Sequence, residues 1–135
     1  MTIPQGRITC PCNSGASLAQ CCGPFIYTNE LPVTAEQLMR SRYTAYVKKA
    51  YKYISDTWHP KNRPPSLKSK NPTRWLKLEI LDTKTINEKA WVEFRAFYGH
   101  QDHQHTLHEK SFFIYEGQWW YVEGDILGQN GCGHP

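Results

Sequence analysis

The sequence predicts an α+β fold: a small cysteine module, then two helices, then a sheet of about four antiparallel strands. Three observations carry this expectation. Four of the five cysteines crowd into "CPCNSGASLAQCC", Cys10 to Cys22; apolar residues recur at helical spacing between Met39 and Trp58; and from Leu76 onward the apolar period falls to two.

The cysteines are spaced C-x-C, eight residues, C-C. Four thiolates satisfy a tetrahedral Zn²⁺ with sulfur about 2.3 Å away, and a closed shell of this kind leaves no position for water or substrate, so such a site is structural. Pro11 restricts the chain between the first two cysteines, and Asn13-Ser14-Gly15 supplies turn chemistry that folds the loop back toward Cys21 and Cys22. Adjacent cysteines on an ideal strand point to opposite faces, so the backbone has to bend there, which Gly23 eases. A disulfide staple and a redox-active pair are the rival readings. Residues 1–9 show no export-signal pattern and the chain has no C-x-x-C at a strand-to-helix junction, so the cysteines favour metal over either. Zinc suits tetrahedral sulfur; an iron site or an iron–sulfur cluster is the alternative. With no apolar run of membrane-spanning length, the expected compartment is cytoplasmic, where thiols stay reduced.

Gly23-Pro24-Phe25 and "YTNELPVT" read as a connector. Thr34 followed three residues later by Gln37 is a capping-box pattern that starts a helix near Ala35. Met39, Tyr43, Tyr46 and Ala50 give that helix its apolar stripe, widened by Leu38 and Val47. A second helical piece with Tyr51, Ile54 and Trp58 on one side should stop at His59-Pro60. "PKNRPPSLKSKNP" (60–72) reads as a basic loop. Leu76, Leu78 and Ile80 form one side of a first strand; past a turn near Asn87, Ala90, Val92, Phe94 and Ala96 alternate with Trp91, Glu93, Arg95 and Phe97 in a second. "TLHEKSFFIY" (106–115) is a third, and Glu116-Gly117 turns the chain into a fourth, "QWWYVEG".

Length and composition allow a real core: 135 residues, 39% hydrophobic and 13% aromatic, suit one compact domain with a short appendage. The net charge of +4 is unevenly spread. Residues 48–77 hold nine basic groups and one acidic, whereas 78–135 hold four and nine. This basic segment is either a solvated helix end and loop or an electrostatic footprint for a ribosome, a nucleic acid or another anionic surface. No phosphate-binding glycine loop, dinucleotide fingerprint or serine nucleophile elbow is present.

C-x-C-x8-C-C headed by "CPCNSG" resembles the SEC-C zinc motif, named for the tail of the bacterial preprotein translocase ATPase. "CCGPF", "LMRSRYTAYV", "TWHP" and "GQWWYVEG" are similar to the YchJ-like family of small bacterial proteins. The resemblance spans nearly the whole chain. It implies a zinc module over residues 1–25, with Cys10, Cys12, Cys21 and Cys22 as ligands. Over residues 26–135 it implies a cone-shaped domain of the nuclear-transport-factor type. "GQNGCGHP" (128–135) resembles only the opening of a second cysteine module that such proteins often carry. Cys132 and His134 cannot close a site alone; Cys132 reads as a leftover thiol, with replacement of a first-site ligand by Cys132 or His134 the alternative. The translocase motif contacts a chaperone and the ribosome, which makes a macromolecular partner the expectation here.

Two further groups stand out. His100, His103, His105 and His108 lie close in sequence with Asp102, either as a hairpin metal site or as a solvated turn that is merely His-rich. Arg40 and Arg42 flank the helical stripe, and one of them is expected to enter the cone and meet Glu93, Glu109 or Glu123, as a ligand contact or as a paired, half-buried arginine. Folds of the implied type often enclose a pocket. Arg40, Arg42, Tyr43, Trp58, His59, Trp91, Arg95, Glu109 and Tyr121 are its candidate lining, although His59 before proline also reads as a helix terminator. These residues form no recognisable catalytic set. The reading is therefore a zinc-binding, non-catalytic adaptor that uses the zinc module and the 48–77 segment to contact a ribosome, chaperone or nucleic acid. The alternative is a small-molecule enzyme or binding protein, with Glu109 or His59 as base and Arg95 or Arg40 holding an anion.

Overall fold

A computed structural model describes residues 8–65 and 73–130. Cys132, His134 and part of the basic 60–72 loop lie outside the described residues. Three helices, α1 (Gly23–Tyr27), α2 (Ala35–Lys48) and α3 (Tyr51–Asp56), precede four strands, β1 (Arg74–Ile86), β2 (Lys89–His100), β3 (His103–Tyr115) and β4 (Trp119–Asn130). The strands pair antiparallel in chain order, β1-β2-β3-β4, which is the expected meander. No helix among the described residues is long and apolar enough to cross a membrane.

The local chemistry explains most boundaries. Thr34 accepts the Gln37 N–H at 3.1 Å, and the Gln37 side chain reaches back to the Val33 N–H at 2.7 Å, one residue earlier than an ideal capping box. α2 ends where Lys49 takes a left-handed conformation, φ 59°, and Ala50 N–H bonds to Ala45 O at 2.8 Å. Hairpins follow the same logic: Asn87 carries φ 55°, Gln101 and Asp102 both have positive φ in a two-residue turn, and Gly117 sits at φ 77° before β4. The expected connector after Cys22 is instead partly helical. Pro24 stands in the first turn of α1, where its missing N–H costs nothing.

Ala90, Val92, Phe94 and Ala96 face α2 and are buried with Leu78 and Phe113. Leu76 departs from the expected alternation. It is the extra residue in a bulge, since Trp75 pairs with Tyr98 and Lys77 with Phe97, and it is 42% exposed. Further bulges fall at Ile80/Asp82, His108/Glu109 and Phe112/Phe113, and such bulges bend a sheet so that it can wrap a helix. α2 is buried well beyond one apolar stripe, taking Ser41, Arg42 and Thr44 inside as well, because the sheet, α3 and the cysteine module each cover part of it.

Candidate functional site

The cysteine module is a miniature hairpin closed by the Thr9–Ser17 bridge and by Cys10 N–H bonding to Ala16 O at 3.0 Å. Asn13 (φ 63°) and Gly15 (φ 93°) make its turn, as the Asn-Ser-Gly sequence requires. Ser17 then caps a 3-10 turn, Leu18–Gln20, which delivers Cys21 and Cys22. Cys21 has φ −124°, ψ −99°, far from strand geometry, and this bend brings the Sγ atoms of the two adjacent cysteines to 3.9 Å. Gly23 serves a different purpose from the one expected: a Cβ there would lie 2.7 Å from Leu18 O, so only glycine lets the chain pass.

The four Sγ atoms of Cys10, Cys12, Cys21 and Cys22 all lie within 4.8 Å of one another, and Cys12 and Cys21 are 3.6 Å apart. A tetrahedron with bonds of about 2.3 Å has edges of about 3.8 Å, so the donor set fits one Zn²⁺-sized ion with no position left over. Packed thiols do not ionise together unaided. Hydrogen bonds from Cys12 and Cys22 push Cys10 far down, the bond to Cys10 pushes Cys22 far up, and burial raises Cys21 to about 11. A bound cation would take the place of the retained protons.

The module is docked on the body. Asn13 Oδ1 accepts the Leu78 N–H of β1 at 2.7 Å, the Thr44 hydroxyl lies 3.5 Å from Cys10 Sγ, and Arg40 donates to Cys12 O at 2.9 Å. Arg40 Nη1 is also 3.8 Å from Cys12 Sγ, and its Nε is held by Glu36 at 2.9 Å. Burial works against the Arg40 charge, but Glu36 and Cys12 outweigh it and keep its pKa above the ordinary value. Arg40 thus belongs beside the cysteines and not in the cone. Arg40 and Thr44 are four apart on α2, a spacing that was legible in advance.

A second feature lies between α2 and the sheet: a cavity of about 230 Å³ walled by Tyr43, Tyr46, Trp75 and Tyr121, with Arg42 and Glu109 also lining it. Arg42 is 3% exposed, donates from Nη1 to Ile54 O at 2.8 Å and Thr57 Oγ1 at 2.7 Å, and stacks over Tyr121 at 4.2 Å. Burial lowers its pKa. Glu109, opposite Phe94 in the β2–β3 register, accepts the Ser111 hydroxyl at 2.9 Å, and burial raises its pKa. Of the three acidic partners expected for an inward arginine, Glu109 alone lines this cavity; Glu93 pairs with His108 at 2.6 Å and Glu123 is exposed.

Arg42, Tyr43, Glu109 and Tyr121 therefore share the cavity, while five candidates lie elsewhere. Trp91 packs on Phe112, and the exposed Arg95 pairs with Glu79 at 2.8 Å, both on the outer face, because odd positions of β2 point away from α2. Trp58 sits behind Arg42, edge-on to Tyr121, with its indole N–H on Val122 O at 3.2 Å. His59 is a strut: its backbone N–H bonds to Tyr121 O, Nδ1 accepts the Lys61 N–H at 3.2 Å, and Nε2 therefore donates to Glu116 at 2.9 Å. Trp75, Leu107 and Ser111 were missed, although Leu107 and Ser111 share the alternation of Glu109. The hairpin brings two of the histidines together: His105 is buried, stacks on Tyr98 at 5.2 Å and has the His100 ring 6.0 Å away, whereas His108 takes Glu93 and His103 is exposed. Among the described residues, the cysteine cluster is the one group of three or more candidate ligands close enough to share an ion.

Comparison with known proteins agrees with this fold. Residues 34–124 match the model of the YchJ middle domain, described as nuclear-transport-factor-2-like. The chain is 41% identical over 140 residues to a UPF0225 protein of Ralstonia nicotianae, covering 93% of this chain and 96% of that one. It is also 41% identical over 122 residues to a UPF0225 protein of Streptomyces coelicolor, covering 87% and 95%. The solution structure of a SEC-C motif containing protein from Rhodopseudomonas palustris superposes with a TM-score of 0.78 at 29% identity, covering 88% of this chain and 98% of that one. A crystal structure of a SEC-C motif containing protein from Psychrobacter arcticus, at 24% identity and a TM-score of 0.71, covers 93% and 86% and shares the fold.

Proposed function

The chain belongs to the YchJ-like UPF0225 family, and from that premise we propose that it is a zinc-binding, non-catalytic adaptor of the cytoplasm. One observation carries the reading: four cysteine sulfurs within 4.8 Å of one another, on a module pinned to α2 and β1. Cys10, Cys12, Cys21 and Cys22 would hold the ion, which would supply cohesion to a segment too small to bury a core of its own. Four sulfur ligands leave no coordination position for a substrate, so the module works as a rigid presented surface. Beside it the exposed Ile8 and Tyr27 line a groove with Leu18 and Pro24, an apolar surface that suits contact with another macromolecule. Residues 48–77, with nine basic groups, add attraction toward a ribosome, nucleic acid or acidic chaperone surface.

Elemental analysis of untagged protein tests the metal: one zinc per chain, lost in Cys12→Ser and kept in Cys132→Ser. Sedimentation with ribosomes and titration with RNA at rising salt test the partner. Binding that weakens steeply with salt and disappears in Cys12→Ser supports the adaptor; absent or salt-independent binding removes it.

A further inference from the structure

The cavity under α2 is independent of the cysteine module in its chemistry. It holds one guanidinium and one carboxylate that do not pair with each other: Arg42 spends Nη1 on Ile54 and Thr57 and its face on Tyr121, whereas Glu109 takes the Ser111 hydroxyl. Opposite charges facing one small, apolar-walled space select their guest. A full negative charge gains from Arg42 what it loses to Glu109, and a full positive charge the reverse, so neither recovers the cost of leaving water. A neutral molecule with an acceptor at one end and a donor at the other meets both favourably. The walls are aromatic, with Trp75 edge-on to Tyr43 at 6.0 Å and tilted against Tyr46 at 6.4 Å, and they suit a flat ring. A volume of about 230 Å³ corresponds to roughly eight waters at about 30 Å³ each, or one substituted six-membered ring.

The carboxylate is built in from the opposite strand. A Cβ at Gly124 of β4 would collide with the Glu109 carboxylate and come within 3.1 Å of the Tyr121 hydroxyl. Glycine at that position leaves the acid room beside the cavity, where a larger residue would fill the space.

We propose that this cavity is a binding site for a small neutral ring compound carrying a hydrogen-bond acceptor and donor side by side, as in a primary carboxamide. The acceptor turns to Arg42, the donor to Glu109, and the ring lies against Trp75 and Tyr46. Water filling the same space is the competing occupant.

The test uses the whole metal-loaded chain with benzamide as probe, and benzoate, benzylamine and toluene as charge and polarity controls. The readout is the Trp75 indole N–H resonance, assigned with a Trp75→Phe variant. Benzamide is expected to shift it saturably and to bind at least tenfold more tightly than each control. Leu107→Trp, which fills the cavity, should abolish the shift. Glu109→Gln removes the negative charge and should raise benzoate affinity at least fivefold; should Leu107→Trp fail to fold, this exchange of preference carries the test alone. No response to benzamide would leave water as the occupant, toluene binding as tightly as benzamide would make the space a mere apolar hole, and unchanged benzoate affinity in Glu109→Gln would remove Glu109 from the site. Each of these overturns the proposal.

Discussion

Replacing Arg42 by methionine asks whether a fully buried arginine holds this fold together. The exchange keeps a long stem and removes the guanidinium. Two charge-assisted hydrogen bonds go, to Ile54 O and Thr57 Oγ1, at about 1.5–3 kcal/mol each. The stacking over Tyr121 goes as well, for about 0.5–2 kcal/mol. Against this gross loss stands relief of the desolvation penalty on a buried charge, several kcal/mol by general experience and of the same sign as the lowered pKa of Arg42. The balance is a destabilisation of about 2–4 kcal/mol. Urea unfolding of zinc-saturated protein, followed by far-ultraviolet circular dichroism, should show a midpoint lower by about 1–2 M at an ordinary slope. A midpoint within about 0.3 M of the parent, or a higher one, would mean that α2, α3 and β4 are held by apolar packing alone and that the Arg42 contacts merely offset their own desolvation.

Three other outcomes are expected. Arg40→Ala should speed loss of metal to a chelator by about tenfold, with Arg40→Lys intermediate, because the bond to Cys12 O and the charge beside Cys12 Sγ both disappear; parental kinetics in both variants would reduce Arg40 to a helix ion pair with Glu36. Gly124→Ala should turn the end of the Glu109 side chain away from the Ser111 hydroxyl at a cost of about 1 kcal/mol, and this loss should vanish in a Glu109→Ala background; an equal loss in both backgrounds would contradict the collision. Burial holds the Glu109 carboxyl above its ordinary value, so the folded chain retains that proton where the unfolded chain has lost it. Its contribution to stability is complete below the unfolded value of 4.5 and is lost as pH rises through the folded one. Unfolding free energies of the parent and Glu109→Gln should therefore diverge against the parent as pH rises above the unfolded value and level off once pH has passed the folded one, and a difference that stays constant with pH would refute the assignment.

Much of this protein follows from local spacing. The capping pair Thr34 and Gln37, the period-two run from Ala90 to Ala96 and the turn residues Asn87 and Gly117 each act within a few residues of sequence, so helix start, strand face and hairpin positions were legible in advance. The gathering of the four cysteines was equally legible, because a cluster made from one short segment shows its residue types and count directly. Leu76 was not, since a bulge is set by pairing with β2 and flips the alternation on one side of it, so that Trp75 and not Leu76 turns inward while Leu78 stays buried. Nor were Trp91 and Arg95 placed correctly in the pocket, although their own alternation already put them opposite Phe94.

What the sequence determined by itself is the order of elements, the meander and the presence of a four-cysteine module, all of which arise from interactions between residues near in the chain. Tertiary structure decided the division of two arginines only two residues apart, Arg40 to the cysteine cluster and Arg42 to the cavity. On a helix such neighbours point about 200° apart, and which surroundings each meets depends on what folds against α2 from distant parts of the chain.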